Sequence, residues 1–415
     1  MIDLSPLRES RSFRLLWAGQ LVSLTGTQLR LVAVPYQIFL LTGSSLDVGL
    51  IGLFQAVPLI ALALFGGVVA DRVDRRRLLI ATQIGLASCS LALAVGTQLG
   101  FASVPYLYAF TALGAAFSAL DGPARGALTP SLVAREQLPA AMALNQVLFQ
   151  TAAIGGPALA GVVIVAFGIA GAYWIDVASF LVAIVAVGAL VAPPRELRAH
   201  PAVGRAIAEG LAHFRANRIL FGTMLLDFFA TFFGSPRALF PYYAARVFAV
   251  GPGGLGLLFA APGIGSLIAA LASGWTKGVR HQGVAVLVAV AAWGLAIVGF
   301  GLMNDGLFIP ALIFVALAEG ADTISAIFRS TILLTVVPDH LRGRLVAISS
   351  IFFLGGPYLG QVESGVVAGL VSPEFSVVSG GVATLASVVG IALWAPEVTR
   401  YVSPAPEAKV ASSGA

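Results

Sequence analysis

The sequence predicts an all-α membrane protein that crosses the bilayer twelve times. Of its 415 residues, 58% are hydrophobic and only 10% are charged, and the mean hydropathy is +0.95. Soluble proteins carry about a quarter charged residues, and a helix needs roughly 20 apolar residues to span a bilayer. The apolar runs and their short loops place twelve spans at 13–41, 46–70, 78–99, 105–130, 141–166, 168–192, 218–241, 252–275, 282–302, 306–335, 343–370 and 374–395.

The basic residues predict the orientation of the chain. If both termini lie in the cytoplasm, 19 of the 24 Lys and Arg residues fall in cytoplasmic segments. Cytoplasmic loops of membrane proteins carry such an excess. This topology also explains the net charge of +5 and the pI near 9.7 without a nucleic-acid partner. We therefore expect a multi-pass protein with both termini cytoplasmic.

The two halves of the chain repeat each other weakly. Gly52-Leu53-x-x-Ala56-x-Pro58 recurs 204 positions later as Gly256-Leu257-x-x-Ala260-x-Pro262. Two six-helix halves with substrate bound between them are typical of secondary transporters. We expect two pseudo-symmetric six-helix bundles, a cytoplasmic linker between them and a disordered cytoplasmic tail. The boundaries are 1–192 and 218–395 for the bundles, 193–217 for the linker and 396–415 for the tail.

The sequence argues against an enzyme. No Gly-Lys dipeptide occurs, so there is no Walker A phosphate loop and no basis for ATP hydrolysis. All four histidines fall in predicted loops, so a metal site within the membrane has no imidazole ligand. We predict no cofactor and no metal, and any active transport has to be driven by an ion gradient.

Ten acidic or basic side chains lie inside the predicted spans, beyond the first two residues of each span. Charges in lipid are costly, so they usually face protein or water and mark functional sites. Eight of the ten lie on spans one, four, seven and ten. The ten are Arg30, Asp121, Arg125, Asp176, Asp227, Arg237, Glu319, Asp322, Arg329 and Glu363.

Span ten carries the densest group of these charges. Glu319 and Asp322 are three residues apart and share one helix face. Two neighbouring acids in a low dielectric do not both ionise readily, so one is expected to hold a proton. Arg329 lies two turns further along that face and is placed to neutralise one acid. Proton coupling is one interpretation; a static ion pair that fixes helix packing and a substrate-binding role are the others.

Asp121 and Arg125 are spaced to pair within span four, on either side of Pro123. Proline frees backbone carbonyls in a membrane helix, so one interpretation is an ion pair that braces a kink. The other is that Arg125 holds an anionic substrate or changes partners during a transport cycle.

Arg30 on span one has no acid within one helical turn. We expect it to line a cavity and to find an acid on another helix or the ligand itself, with Asp227 as a possible partner. Asp176 follows Tyr173-Trp174, which favours a structural role near the membrane interface. Glu363 on span eleven is left without an assigned role.

A short loop between spans two and three resembles a motif of a known family. Residues 66–77 read Gly-Gly-Val-Val-Ala-Asp-Arg-Val-Asp-Arg-Arg-Arg. The pattern Gly-x-x-x-Asp-Arg-x-x-Arg-Arg resembles the corresponding loop of major facilitator superfamily transporters, except that Asp74 stands where the family usually has glycine. The resemblance implies the major facilitator fold and a cytoplasmic gate in which Asp71 caps span eleven while arginines bridge the two halves. The gate residues so implied are Gly67, Asp71, Arg72, Arg75 and Arg76.

Span five and several loops narrow the resemblance. Gly156-Pro157-x-x-x-Gly161 is similar to the antiporter motif of exporters in that superfamily. Gly122-Pro123-Ala124-Arg125 and Leu341-Arg342-Gly343-Arg344 look like the drug:proton antiporter-3 branch, which includes siderophore and drug exporters. The resemblance covers nearly the whole chain.

Together these features predict a proton-coupled secondary active exporter of an amphipathic small molecule, either a siderophore or a drug. It would work by alternating access, as a monomer, in a bacterial inner membrane, with protons and the lipid bilayer as its other partners. The alternative is an uncoupled facilitator or an importer of a small molecule.

Overall fold

The computed structural model describes the backbone of residues 3–72, 74–190, 217–337 and 339–403. Side chains are described for these residues except 63–72, 339–344, 346–348 and 350–354. Every regular element among the described residues is helical, which confirms the all-α prediction. The predicted linker at 193–217 lies outside the described residues apart from Asn217.

The helices follow one another along the chain with short connections. In the first half they are α1 (Ser5–Glu9), α2 (Arg11–Thr42), α3 (Ser45–Arg72), α4 (Arg75–Gln98), α5 (Val104–Leu132) and α6 (Leu138–Gly188). In the second half they are α7 (Arg218–Phe233), α8 (Gly251–Ala272), α9 (Gln282–Gly301), α10 (Phe308–Val336), α11 (Asp339–Leu370), α12 (Pro373–Trp394) and α13 (Pro396–Arg400).

Local sequence explains where several helices begin and end. The Ser10 hydroxyl accepts a hydrogen bond from the Phe13 backbone N–H at 3.1 Å at the start of α2, and Gly43, with φ of 64°, ends that helix. The Asp74 carboxylate accepts from the Arg77 backbone N–H at 2.8 Å and so caps α4. Serine and aspartate are favoured at this position because their side chains satisfy otherwise unpaired N–H groups. Asp74, the departure from the family pattern, thus has a structural role.

Spans five and six run on from each other in α6, and the non-helical conformation of Gly168 (φ 70°, ψ −179°) divides them at the boundary that the sequence predicts, between residues 166 and 168. Only glycine adopts this conformation readily. Span seven differs from the prediction. The predicted span at 218–241 is not one helix, because α7 ends at Phe233. A short irregular stretch follows, with 3₁₀ geometry at Arg237–Leu239 and π geometry at Tyr243–Val247.

The outer surface is that of a membrane protein. Within the described part of the chain, 8 helical segments are long and apolar enough to cross a membrane. Leu271 of α8, Leu370 of α11 and Leu393 of α12 are 79%, 80% and 78% exposed. A soluble monomer rarely shows apolar surface on this scale, whereas lipid tails solvate it.

Two helix pairs join the first half of the chain to the second. Helix α3 packs on α11, and α6 packs on α8. A Cβ on Gly49 would lie 2.7 Å from the Gly365 Cα, and a Cβ on Gly256 would lie 2.6 Å from the Pro157 carbonyl oxygen. Real Cβ atoms essentially never come closer than 3.0 Å, so these helix backbones are in direct contact.

Both contacts lie at the same end of the molecule. Gly49 lies near the start of α3 and Gly256 near the start of α8. Phe39, near the end of α2, meets Tyr242 edge-to-face with ring centroids 6.3 Å apart. Phe39 shortly precedes α3 and Tyr242 shortly precedes α8, so this contact places the starts of α3 and α8 near each other. We call this end, where the two halves are in direct contact, the closed end. It is remote from the N-terminus, because α2 crosses the bundle before it reaches Phe39.

The tail predicted from residue 396 begins with a helix instead. Val398 of α13 is fully buried, and its carbonyl group lies against Gly283 of α9. The Ser403 backbone N–H donates to the Arg280 carbonyl oxygen at 2.8 Å. Residues 404–415 lie outside the described residues.

Candidate functional site

A cavity of about 550 Å³ lies between the first and second halves of the chain. Its walls come from α2, α3, α5 and α6 on one side, and from α7 to α11 with the irregular stretch after α7 on the other. Most of the lining is apolar, and the volume lies in the range of small-molecule sites. The charged side chains that reach it are Arg30, Arg237, Glu319 and Asp322.

Arg30 is held in place by a fully buried acid. Its Nε lies 3.6 Å from the Asp176 carboxylate, and its Nη1 donates to the Ser90 hydroxyl at 3.4 Å. That hydroxyl donates to the same carboxylate at 2.6 Å. The guanidinium also lies 6.0 Å from the Phe180 ring centroid. Arg30 thus has its acid on another helix, but the acid is Asp176 of α6 and not Asp227.

Arg329 on α10 bridges two acids. Its Nη1 donates to the Asp227 carboxylate of α7, and its Nη2 donates to Asp322 at 3.3 Å. The side chains of Asp227 and Asp322 are 3% and 19% exposed, and only Asp322 of the two lines the cavity. Two carboxylates that share one guanidinium leave one negative charge in excess, so the group is neutral when it holds one proton.

Glu319, one turn before Asp322, pairs with a different arginine. Its carboxylate lies 3.1 Å from Nη2 of Arg237. Arg237 belongs to the irregular stretch after α7, and the Arg237 and Glu319 side chains are 45% and 27% exposed. The pair therefore faces the cavity and is held more loosely than the other two.

Asp121 and Arg125 lie outside the cavity lining. Arg125 donates to one Asp121 oxygen through Nε at 3.1 Å and Nη2 at 2.6 Å. The other oxygen accepts from Thr82 at 2.9 Å and from Gln83 at 2.8 Å, both on α4. This fully bonded pair joins α5 to α4, which matches the bracing interpretation.

The gate residues with described side chains, Arg75 and Arg76, donate hydrogen bonds to carbonyl groups in the first half of the chain. Arg75 donates to the Ala127 carbonyl oxygen at 2.6 Å. Arg76 donates through Nε to the Val187 carbonyl oxygen at 3.1 Å and also bonds that of Gly188. These bonds tie the start of α4 to the ends of α5 and α6. The other gate residues, whose side chains lie outside the described part of the chain, are Gly67, Asp71 and Arg72.

The antiporter motif lies where α6 meets α2 and α8. A Cβ on Gly156 would lie 2.5 Å from the Gln28 Cβ, and a Cβ on Gly161 would lie 2.9 Å from the Pro252 carbonyl oxygen. Pro157 lines the cavity. The small residues therefore allow close contact with two helices, one in each half of the chain.

Two residues of this site were counted among the charges inside the spans but were not assigned to the site from the sequence. Asp176 looked like an interface residue because it follows two aromatic residues, and its partner Arg30 is 146 positions away in the chain. Arg237 was counted within a regular span, although Gly234 and Pro236 just before it are a signal for a helix break. Glu363 does not line the cavity, and among the described residues its Oε2 is buried without a hydrogen-bond partner.

The described residues include no cluster of three or more His, Cys, Asp or Glu side chains that could hold a metal ion.

A helical membrane protein with a cavity between the two halves of its chain has an architecture typical of membrane transporters. Residues 2–408 match the profile of the transmembrane secretion effector family. The chain belongs to this family, within the major facilitator superfamily, as its loop motif indicated.

Characterised relatives are similar over their whole length. The chain is 27% identical over 411 residues to the enterobactin exporter EntS of Citrobacter koseri, covering 98% of this chain and 97% of the relative. It is 26% identical over 415 residues to EntS of Shigella boydii, covering 100% and 99%.

Solved structures of other transporters share the fold. A bacterial homolog of the human lysosomal transporter Spinster, solved inward-facing and unoccupied, matches with a TM-score of 0.70 and 16% identity, over 95% of this chain and 98% of that one. A point mutant of the nucleoside transporter NupG matches with a TM-score of 0.77 and 11% identity, over 92% and 99%. At these identities the likeness concerns the fold alone.

Proposed function

We propose that this protein is a proton-coupled secondary active exporter of an amphipathic small molecule in a bacterial inner membrane. The observation that carries the proposal is the cluster of Asp227, Arg329 and Asp322. It has one acid too many for its arginine, and Asp322 opens to the cavity. Such a cluster takes up or releases a proton according to the solution that the cavity faces.

Transport would proceed by alternating access. Residues 1–192 and 218–395 would each form a six-helix bundle, which gives twelve spans, and the two bundles would rock about the cavity. With both termini in the cytoplasm, the contacts of α3 with α11 and of α6 with α8 close the periplasmic end, so the cavity described above faces inward. In the opposite state, the gate loop at 67–76 would bridge to the start of α11.

The cargo that fits best is a siderophore. The two relatives named above are enterobactin exporters, and an apolar cavity with scattered polar groups suits an amphipathic molecule. The antiporter motif at Gly156, Pro157 and Gly161 supports export. A lipophilic drug is the second candidate, because drug exporters share these motifs.

Uptake into everted membrane vesicles tests the proposal. In such vesicles the cytoplasmic face of the protein points outward and an acidic lumen replaces the periplasm. We expect iron-free enterobactin to accumulate in the lumen only when the protein is present, and to stop accumulating when nigericin collapses the pH gradient. Equilibration of enterobactin across the membrane, without accumulation and without any effect of nigericin, would favour an uncoupled facilitator. Movement in the opposite direction would favour an importer.

A further inference from the structure

Four glutamine side chains reach the cavity from four different helices. Each is half-buried, and each lines the cavity wall. In the part of the chain that the structure describes, none of the four amide groups takes part in a hydrogen bond. They are Gln28 of α2, Gln55 of α3, Gln150 of α6 and Gln361 of α11.

Glutamines elsewhere in the protein are used differently. The Gln83 amide donates to Asp121 at 2.8 Å, and the Gln98 carbonyl accepts from the Trp174 indole N–H at 2.7 Å. A glutamine offers two N–H donors and one carbonyl acceptor. Unpaired amides in a half-buried cavity are therefore groups that a ligand can satisfy.

The stems of two of these side chains pack against glycines on the facing helix. Gly156 leaves room for Gln28, because a Cβ there would lie 2.5 Å from the Gln28 Cβ and 2.9 Å from its Cγ. Gly52 does the same for Gln361, whose Cβ would lie 2.9 Å from an added Cβ. Gly156 of the antiporter motif thus leaves space for the Gln28 side chain and also allows α2 and α6 to approach closely.

The charged groups of the cavity are less available than the amides. Arg30, Arg237 and Asp322 each already face an oppositely charged side chain. A ligand that separated such a pair would leave one charge without its partner, which is costly in a low-dielectric site. The amides can be bonded without this cost, and Phe259 and Trp293 supply aromatic surface in the same cavity.

We propose that Gln28, Gln55, Gln150 and Gln361 recognise the cargo through uncharged hydroxyl and amide groups, while the charged residues are kept for the proton. The inference rests on the function proposed above and names its substrate class. The cargo is a neutral aromatic molecule that carries several hydroxyl or amide groups, rather than a lipophilic cation.

Binding to the purified full-length protein in lipid nanodiscs tests this assignment. The probes are iron-free enterobactin, a compound rich in phenolic hydroxyl and amide groups, and tetraphenylphosphonium, a lipophilic cation without hydrogen-bonding groups. We expect Gln28→Leu and Gln361→Leu each to weaken enterobactin binding about threefold to tenfold, the loss of one or two hydrogen bonds. Gln150→Leu provides a third test if either variant fails to fold.

The matched control is Gln98→Leu, which removes an amide from α4 outside the cavity and should leave the dissociation constant unchanged. Gly156→Ala should weaken binding to the same degree as Gln28→Leu, since the added methyl group displaces that side chain. Wild-type affinity for enterobactin in the Gln28, Gln150 and Gln361 variants would overturn the assignment. The assignment would also be overturned if the wild-type protein bound tetraphenylphosphonium but not enterobactin, or if it bound neither compound.

The outcome is separable from that of the vesicle experiment. Weaker binding in the glutamine variants, combined with accumulation that ignores the pH gradient, would remove proton coupling and leave the recognition site in place. Unchanged binding in the glutamine variants, combined with accumulation that depends on the pH gradient, would support the exporter and refute the amide site.

Discussion

Gly52 of α3 lies against the backbone carbonyl oxygen of Tyr358 in α11, so closely that no side chain fits between them. Its counterpart in the sequence repeat, Gly256 of α8, lies in the same way against the Pro157 carbonyl oxygen of α6. The weak repeat of the sequence is therefore visible as two equivalent contacts. Each joins the two halves of the chain at the end that is closed.

Enlarging Gly52 should open that end. We expect Gly52→Ala to cost the closed state about 1–3 kcal/mol, as overpacking does in other tight contacts. This corresponds to a shift of about fivefold or more towards the opposite state. The measurement is the rate at which a membrane-impermeant maleimide labels a Val48→Cys variant, substituted at a buried cavity residue, in a Cys89→Ser background.

Gly390→Ala is the matched control for this variant, because nothing lies within 4 Å of an added Cβ there. It should label at the unchanged rate. Equal labelling of the Gly52 and Gly390 variants would show that the contact at Gly52 does not hold the end closed.

Removing the partner of Arg30 should destabilise the protein. Loss of one member of a buried ion pair typically costs about 3–5 kcal/mol, so Asp176→Asn should lower the Tm of the detergent-solubilised protein markedly. The double variant Arg30→Gln, Asp176→Asn should recover most of this loss, because no unpaired charge remains. The readout is thermal unfolding followed by tryptophan fluorescence.

An exposed pair provides the comparison. Arg218 and Glu397 lie 3.5 Å apart with side chains 59% and 43% exposed, and such pairs contribute about 1 kcal/mol or less. Glu397→Gln should therefore leave the Tm nearly unchanged. A double variant at Arg30 and Asp176 that is no more stable than Asp176→Asn alone would refute the electrostatic explanation.

Neutralising Asp322 should separate transport from its driving force. Arg329 keeps Asp227 as a partner in Asp322→Asn, so the protein should fold normally. The cluster then has equal numbers of acids and arginines and no longer needs a proton for neutrality. We expect pH-driven accumulation in everted vesicles to fall by about tenfold or more, which corresponds to about 1.4 kcal/mol. Exchange of cargo across the membrane should continue without responding to the pH gradient. Full pH-driven accumulation in this variant would exclude Asp322 as the coupling residue.

The stabilisation that Asp74 gives to the first turn of α4 should be measurable in that turn. Asp74→Ala removes the acceptor for the Arg77 N–H and should cost about 1 kcal/mol, whereas Asp74→Asn keeps a capping oxygen and should cost little. Hydrogen–deuterium exchange in the first turn of α4 is the test, and exchange should accelerate about fivefold in the alanine variant alone. Identical exchange in the two variants would mean that the cap does not stabilise this turn.

The all-helical membrane class followed from composition and from the length of the apolar runs, because lipid imposes both directly. Helix ends set by local chemistry were less predictable. The kink at Gly168 does lie at the boundary predicted between the spans at 141–166 and 168–192. The break after Phe233 was missed because the apolar run resumes just beyond Arg237, although Gly234 and Pro236 signal a break.

The charged residues of the site were recognisable one by one but not as pairs. A charge within an apolar run is visible in the sequence, and this led to Arg30, Asp322 and Arg329. Which acid meets which arginine depends on how distant helices pack, so Asp176 was not connected with Arg30. Local spacing did predict the pair of Asp121 and Arg125, because both lie on one helix.

Helix α13 anchors the C-terminal segment, up to residue 403, to the second half of the molecule. Val398 is buried beneath the bundle, and the Ser403 N–H is bonded to Arg280, so residue 403 travels with α7 and α9. At the other end of the chain, the Ser10 hydroxyl donates to the Leu132 carbonyl oxygen at 2.6 Å, which ties the N-terminus to α5. A pair of spectroscopic labels near residues 10 and 403 would therefore measure a distance between the two halves, and in the alternating-access cycle proposed above this distance would change with each turn of the cycle.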